Sequence, residues 1–207
     1  MRRPPEPAAA EDPDWPLLSR AVDGDERAFA GLVERHQERI LRTCERLLGR
    51  AAEAEEAAQE VFLKLFRRGA TFRPQGQLST LLYRIAVNHC LNLLRRRKVL
   101  RFLRLEGEGE ETEAPRLDPH DGRAGPHESL EARQRWREVR RAIDRLPENQ
   151  RSVLVLARFE GLSYREIAEV LGITLGAVES RLVRAMRNLE VAQEKGGAGV
   201  SGKGTRR

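Results

Sequence analysis

The stretch LSYREIAEVLGITLGAVESRLVRAMRNLE, residues 162–190, constrains the fold more tightly than any other part of the chain. Apolar residues recur in it at three- and four-residue spacing, the pattern of helices with one buried face. Ser163 stands where it can cap a helix over Tyr164–Leu171. Gly172 supplies the turn, where a residue with positive φ is needed. Thr174 can cap the helix that follows. On that last helix Val178, Leu182, Ala185 and Leu189 face inward, and Ala177, Ser180, Arg181 and Arg184 share the opposite face. Two capped helices around a tight turn, the second with an arginine-bearing stripe, outline a unit that enters the major groove of duplex DNA. Arg187, further along, is placed for a phosphate.

A duplex reader of this kind needs far fewer than 207 residues, and the remaining charge is segregated. Glu53, Glu55, Glu56 and Glu60 form an acidic patch. From Val61 to Leu105 there is no Asp or Glu, while Lys64, Arg67, Arg68, Arg73, Arg84, Arg95, Arg96, Arg97, Lys98, Arg101 and Arg104 all fall in that span. The sign then flips in EGEGEETEAPRLDPHDGRAGPHE, residues 106–128, a Glu-, Gly- and Pro-rich run with little to bury. With a net charge of +6, the whole favours a polyanionic partner. The expected organisation is a flexible segment over 1–20, a helical domain over 21–104, an acidic flexible linker over 105–129, a helix-turn-helix domain over 130–193 and a disordered tail over 194–207.

The fold class expected is all-α, because no period-2 alternation of any length occurs. Phe29, Leu32, Val33, His36, Ile40, Cys44, Leu47 and Leu48 mark one helix, capped by Asp23 or Asp25 and stopped by Gly49. A second runs from about Glu53 to Arg68, with Ala57, Val61, Leu65 and Phe66 available inside and Gly69 ending it. The segment TFRPQGQLST reads as a loop, after which Ser79 or Thr80 caps a long helix toward Arg104 with Leu82, Ile85, Ala86, His89 and Leu93 as its apolar stripe. In the second block Trp136, Val139, Ile143 and Leu146 line one helix that Pro147 terminates, and residues 148–159 form another.

Several function classes are excluded. No nucleophile–base pattern, phosphate-cradling glycine loop or acid/base pair occurs, so no catalytic residues and no enzyme activity are expected. His36 and Cys44 share a helix face but stand two turns apart, too far to chelate one ion; with His89 and Cys90 they fall on or near apolar stripes, where buried free thiols are common. No metal and no cofactor are therefore expected. Cys44 and Cys90 build no disulfide framework, no apolar run approaches the ~20 residues of a membrane span, and the start lacks an apolar leader core. A cytoplasmic protein without a membrane partner is the expectation.

The segment LPENQRSVLVLARFEGLSYREIAEVLGITLGAVESRLVRAMRNL strongly resembles the promoter-reading region 4 of bacterial sigma factors. EAEEAAQEVFLKLFRR followed by FRPQGQLSTLLYRIAVNHCLNLLRRRK resembles their region 2. Two regions in this order, with only a short linker between, resemble an extracytoplasmic-function (ECF) sigma factor of the sigma-70 superfamily. The resemblance implies core RNA polymerase (β′ clamp helices and β flap) and promoter DNA as partners, with an anti-sigma protein as a further one. It places Glu56, Gln59, Glu60 and Phe62 on the polymerase. It assigns Phe72, Tyr83, Arg84, Asn88, Arg95, Arg96, Arg97 and Lys98 to reading and melting the −10 element. It assigns Ala177, Glu179, Ser180, Arg181, Arg184 and Arg187 to the −35 element.

The chain departs from the family pattern at Leu81, where a Trp is frequent, and at Ala57-Ala58, where Leu-Val is. Glu56 replaces a frequent Asp, and Glu179 a frequent Lys. A carboxylate at 179 repels phosphate but can accept from cytosine N4. Leu81 weakens the aromatic part of melting and keeps open a sigma-like adaptor that binds polymerase without opening DNA. A stand-alone helix-turn-helix regulator is the main alternative. A nucleic-acid enzyme is disfavoured, because no acidic metal ligands lie inside the basic block.

Overall fold

The computed structural model describes residues 12–73, 76–104 and 138–197. In order these form α1 (Asp14–Val22), α2 (Glu26–Leu48), α3 (Ala51–Arg68), a 3-10 turn (Gly69–Thr71), α4 (Leu78–Arg104), α5 (138–144), α6 (Glu148–Arg158), α7 (Tyr164–Leu171) and α8 (Leu175–Gly197). Among the described residues there is no strand. The linker over 105–129, the start of the second block with Trp136, and residues 198–207 lie outside the described residues.

Helices α2, α3 and α4 pack on one another around the first core. Asp25 caps α2 by accepting from the Ala28 N–H at 3.0 Å, and Gly49 stops it in the left-handed region at φ 76°. Leu32, Ile40, Cys44, Leu47 and Leu48 are buried along one stripe. Each large apolar side chain so buried contributes roughly 1.5–3 kcal/mol. Helix α3 meets them with Ala54, Ala57, Ala58, Val61 and Leu65, whose small members let the helices approach closely. Phe66, expected inside, is 49% exposed and packs tilted against Phe29, with ring centroids 5.1 Å apart and the planes inclined at 60°, on the outer side of α2 and α3. In α4 the buried stripe is Leu78, Leu82, Tyr83, Ala86, Val87 and Cys90, rotated from the expected one; Ile85, His89 and Leu93 are only half-buried. The rotation arises because α4 is packed by α2 and α3 on one side and by α7 on the other.

Residues 14–20, expected to be flexible, belong to α1. Leu18 and Ala21 are buried, and the Asp14 carboxylate is held by His36 Nε2 at 2.7 Å and by Arg35. Gly69 permits this docking: a Cβ there would meet Val22 Cγ2 at 2.4 Å. The segment before α1 also replaces the expected cap of α4. The Leu78 N–H donates to the Asp12 carboxylate, and Ser79 and Thr80 lie inside the helix rather than ahead of it.

The second unit packs α5 to α8 around Ile143, Leu146, Val153, Leu156, Ile167, Val170, Val178, Leu182 and Ala185. Its caps match expectation. Ser163 accepts from the Glu166 N–H at 3.3 Å while Glu166 accepts from the Ser163 N–H at 2.7 Å, a reciprocal box. Gly172 turns the chain at φ 62°, and Thr174 Oγ1 accepts from the Ala177 N–H at 3.3 Å. Helix α8 runs on through 194–197, which were expected to be disordered.

The two units share one continuous core. Buried Arg151 of α6 donates to the Leu47 carbonyl at the end of α2 (2.8 Å), to the Leu146 carbonyl (3.3 Å) and to the Asp144 carbonyl. Arg140 reaches the Glu45 carbonyl. Between α6 and α7, Glu160 accepts from Arg46 Nη1 and from the Tyr83 hydroxyl, each at 3.0 Å. The Arg46 guanidinium also lies 4.6 Å above the Phe159 ring. Among the described residues no helix is long and apolar enough to cross a membrane.

Candidate nucleic-acid interface

Helix α8 is positioned from behind by Val178, Leu182 and Ala185, all buried against α6 and α7. That anchoring turns Glu179, Ser180, Arg184 and Arg187 fully outward and leaves Ala177 and Arg181 half-exposed. A row of short and long polar side chains on a rigid, capped helix suits base edges and phosphates together.

The second surface is built on the loop after α3 and the first turns of α4. Arg84 and Asn88 are exposed one helical turn apart, and Arg95, Arg96 and Lys98 are exposed beyond them. Arg97 is half-buried and paired with Glu53 of α3, so it faces the protein. Phe72 is half-buried beside the loop. Tyr83 is 3% exposed and bonded to Glu160, so in this packed arrangement it faces the second unit rather than solvent. Burial, and then the negative charge of Glu160, push the Tyr83 hydroxyl far above its ordinary range, so it stays protonated.

A cavity of about 610 Å³ opens at this loop, lined by Trp15, Phe72, Arg73, Leu81 and Arg84 and overhung by Glu169 of α7. Trp15 was missed from the sequence. Its indole N–H donates to the Gly76 carbonyl at 2.8 Å, which pins the ring beside the loop and next to Leu81. The available signal was the spacing of Trp15, Leu18, Ala21 and Val22 after Asp12 and Pro13, an amphipathic turn with an acidic start.

The acidic patch lies on α3. Glu56 and Gln59 are exposed, Glu60 is half-exposed, and Phe62 is 7% exposed. Gln59 and Phe62 border a groove of about 810 Å³ between α2 and α3, with Phe29, Val33, Leu41 and Leu63 on its apolar floor and Glu34 and Glu55 at its rim. An apolar trough with carboxylates along its edge suits an amphipathic basic helix.

The remaining titratable candidates are structural. Cys44 and Cys90 are buried free thiols, and contact with Cys44, then burial, raises the Cys90 thiol so that it is not a thiolate. Among the described residues no cluster of three or more His, Cys, Asp or Glu could hold a metal ion.

A capped helix with an outward polar and basic stripe, and a second basic loop-and-helix face on the same chain, are the features of a two-unit nucleic-acid-binding class. The comparisons agree with this geometry. The model of sigma-70 region 2 matches residues 32–99, and that of sigma-70 region 4 matches residues 136–189. The RNA polymerase sigma-H factor of Pseudomonas aeruginosa is 34% identical over 193 residues, covering 88% of this chain and 94% of that protein. The ECF RNA polymerase sigma factor SigE of Mycolicibacterium smegmatis is 34% identical over 188 residues, covering 86% of this chain and 68% of that protein. Among solved structures, CnrH in complex with the cytosolic domain of CnrY aligns with a TM-score of 0.64 at 25% identity, covering 89% of this chain and 99% of that chain. The chain belongs to the ECF branch of the sigma-70 family of RNA polymerase sigma factors.

Proposed function

We propose that this chain joins core RNA polymerase in the cytoplasm through the α2–α3 face and reads −35 and −10 promoter elements with α8 and with the α4 surface. The observation that carries this reading is the exposed stripe Glu179, Ser180, Arg184 and Arg187 on a helix held by a capping box and a left-handed turn, in the same chain as an acid-free basic α4. Glu56, Gln59 and Glu60 meet basic helices of the β′ clamp, with Phe62 and the adjoining apolar trough receiving their side chains. The second unit meets the β flap. Arg84 and Asn88 contact the −10 bases, and Arg95, Arg96 and Lys98 follow the backbone.

Trp15 adds to this reading. An extruded base needs an aromatic face, and Leu81 supplies none; the Trp15 ring and Phe72 border the same cavity as Arg73 and Arg84. Trp15 therefore stands in for the aromatic residue frequent at position 81.

Reading both elements requires the seam to open. The element names place them about 25 base pairs apart, roughly 85 Å of duplex at about 3.4 Å per step. The packed arrangement, with Glu169 over the loop cavity and Glu160 on Tyr83, is then the resting form.

Run-off transcription from a pool of promoter fragments, with core polymerase and with or without this chain, tests the proposal. Transcripts from defined starts that require the chain establish it. Specific duplex binding by the chain alone, without transcripts, replaces it with a stand-alone regulator.

A further inference from the structure

A second cavity, of about 520 Å³, lies in the seam itself, where the end of α2, the start of α3, the middle of α4, α5 and the start of α6 converge. Its wall carries Arg50, Arg97, Lys98, Arg141, Arg145 and Arg151 against two carboxylates, Asp144 and Glu148. Glu53 lies beside the wall and pairs with Arg50 (3.1 Å) and with Arg97, which still leaves an excess of positive charge. Of these residues only Lys98 is also given to the promoter backbone, and like charges gathered at one cavity repel unless an anion joins them.

Two further observations point to an anion. Arg151 is 8% exposed, and although its terminal nitrogens are spent on carbonyls, its Nε has no hydrogen-bond partner. That Nε and the Asp144 Oδ1, which also has no hydrogen-bond partner, are sealed within the wall and mark it as incompletely satisfied, and the cations open to a bound acceptor are Lys98, Arg141 and Arg145. Two helices also begin at this wall without side-chain caps: α3 behind Arg50 and α6 at Glu148 behind Pro147. Uncapped N-termini carry partial positive charge and free N–H groups, the ready-made setting for phosphate.

We infer that this seam cavity binds a small phosphate-bearing anion, of the di- or triphosphate class, which ties the two helical units together. Arginine forks donate bidentately to phosphate oxygens, and the volume falls in the range of small-molecule sites. A duplex is excluded by size while the units are packed, so a free anion rather than a nucleic-acid backbone is the occupant. Because its ligands come from α3 and α4 on one side and α5 and α6 on the other, the anion favours the packed form over the open one by mass action.

Sodium tripolyphosphate is the probe, added to the full-length chain at constant ionic strength, with sulfate as the salt control. Isothermal titration should show saturable one-to-one binding, and thermal unfolding should shift upward with probe but not with sulfate. Arg141→Glu combined with Arg145→Glu, both exposed and so tolerated by the fold, should weaken binding roughly tenfold or more. Arg158→Glu combined with Arg165→Glu makes the same charge change on exposed residues elsewhere and should leave binding intact. Milder single changes, Arg141→Ala and Arg145→Ala, should each weaken it several-fold and guard against misfolding of the double variant. Absence of saturable binding, or equal loss in both double variants, overturns the site. Displacement of the probe by a short random duplex, with the same variant sensitivity, overturns the small-anion reading in favour of a backbone contact.

Discussion

The hydroxyl of Tyr83 donates to Glu160 Oε2 at 3.0 Å, joining α4 to the loop between α6 and α7 of the second unit. The same carboxylate takes Arg46 Nη1 at 3.0 Å through its other oxygen and is only 4% exposed. Replacing Glu160 by Ala leaves a half-buried guanidinium and a buried hydroxyl unpaired. The expected cost is about 2–4 kcal/mol in urea unfolding. Small-angle scattering should show a larger radius for the variant, because the seam loses its central bond. An unchanged radius and midpoint would show that the remaining seam contacts suffice.

Alkaline pH should release the same contact. The folded Tyr83 hydroxyl titrates above its unfolded value of about 10, through burial and the Glu160 charge, so its contribution is complete below about pH 10 and is lost as pH rises beyond it. Stability measured between about pH 9 and 11 should therefore decline, and Tyr83→Phe should flatten that part of the decline. Equal slopes in both proteins would assign the loss elsewhere.

At the acid side the sensitive group is His89. Lys64 Nζ donates to His89 Nδ1 at 2.7 Å, so the ring is neutral with its proton on Nε2. Burial, and then Lys64, lower its pKa. A depressed histidine favours the folded state above its unfolded value of about 6.5 and loses that contribution as pH falls below it. Denaturant midpoints should drop from pH 7.5 to 5, and less so in His89→Gln. A variant that keeps the full wild-type slope would remove His89 as the cause.

Single-stranded −10 oligonucleotide binding, in the polymerase complex, should fall in Trp15→Ala. Loss of one base–aromatic stack is worth about 1–3 kcal/mol. Trp15→Phe should recover most of it, whereas Leu81→Trp should restore binding to the Trp15→Ala chain. If Trp15→Ala binds the oligonucleotide normally, the ring is only an anchor for the Gly76 loop.

On α8, Arg181→Ala and Arg184→Ala should each cost about 1–3 kcal/mol of −35 affinity. Arg187→Ala should instead weaken all sequences alike and lower the salt slope by about one. Glu179→Lys should change the preferred −35 bases in selection from a random promoter pool. An unchanged preference sinks the role given to Glu179.

How legible these features were depended on how local their causes are. Ser163, Gly172 and Thr174 act within a turn of their own helices, so the duplex-reading unit and its outward stripe could be written down from residues alone. Phe66 was misplaced because helical spacing says which residues share a face, not which face meets the core; the apolar trough beside Phe29 has its own apolar residues. The stripe of α4 was read rotated because α7, distant in sequence, covers part of it. Asp12 caps α4 across 66 positions, and Trp15 reaches Gly76 across 61, so neither contact is written in the neighbouring residues, although the spacing around Trp15 marks a helical turn.

Sequence by itself determined helices α2 to α8, the caps of α2, α7 and α8, and the separation of a basic α4 from an acidic α3, because periodicity, capping and charge are properties of neighbouring residues. It also carried the family. Only the tertiary structure decided that Tyr83 turns to Glu160, that Arg97 turns to Glu53, and that Arg151 ties α2 to α5 in a cationic seam. Those outcomes follow from burial and pairing between residues dozens of positions apart, where an exposed charge and a buried one look alike until the chain is packed.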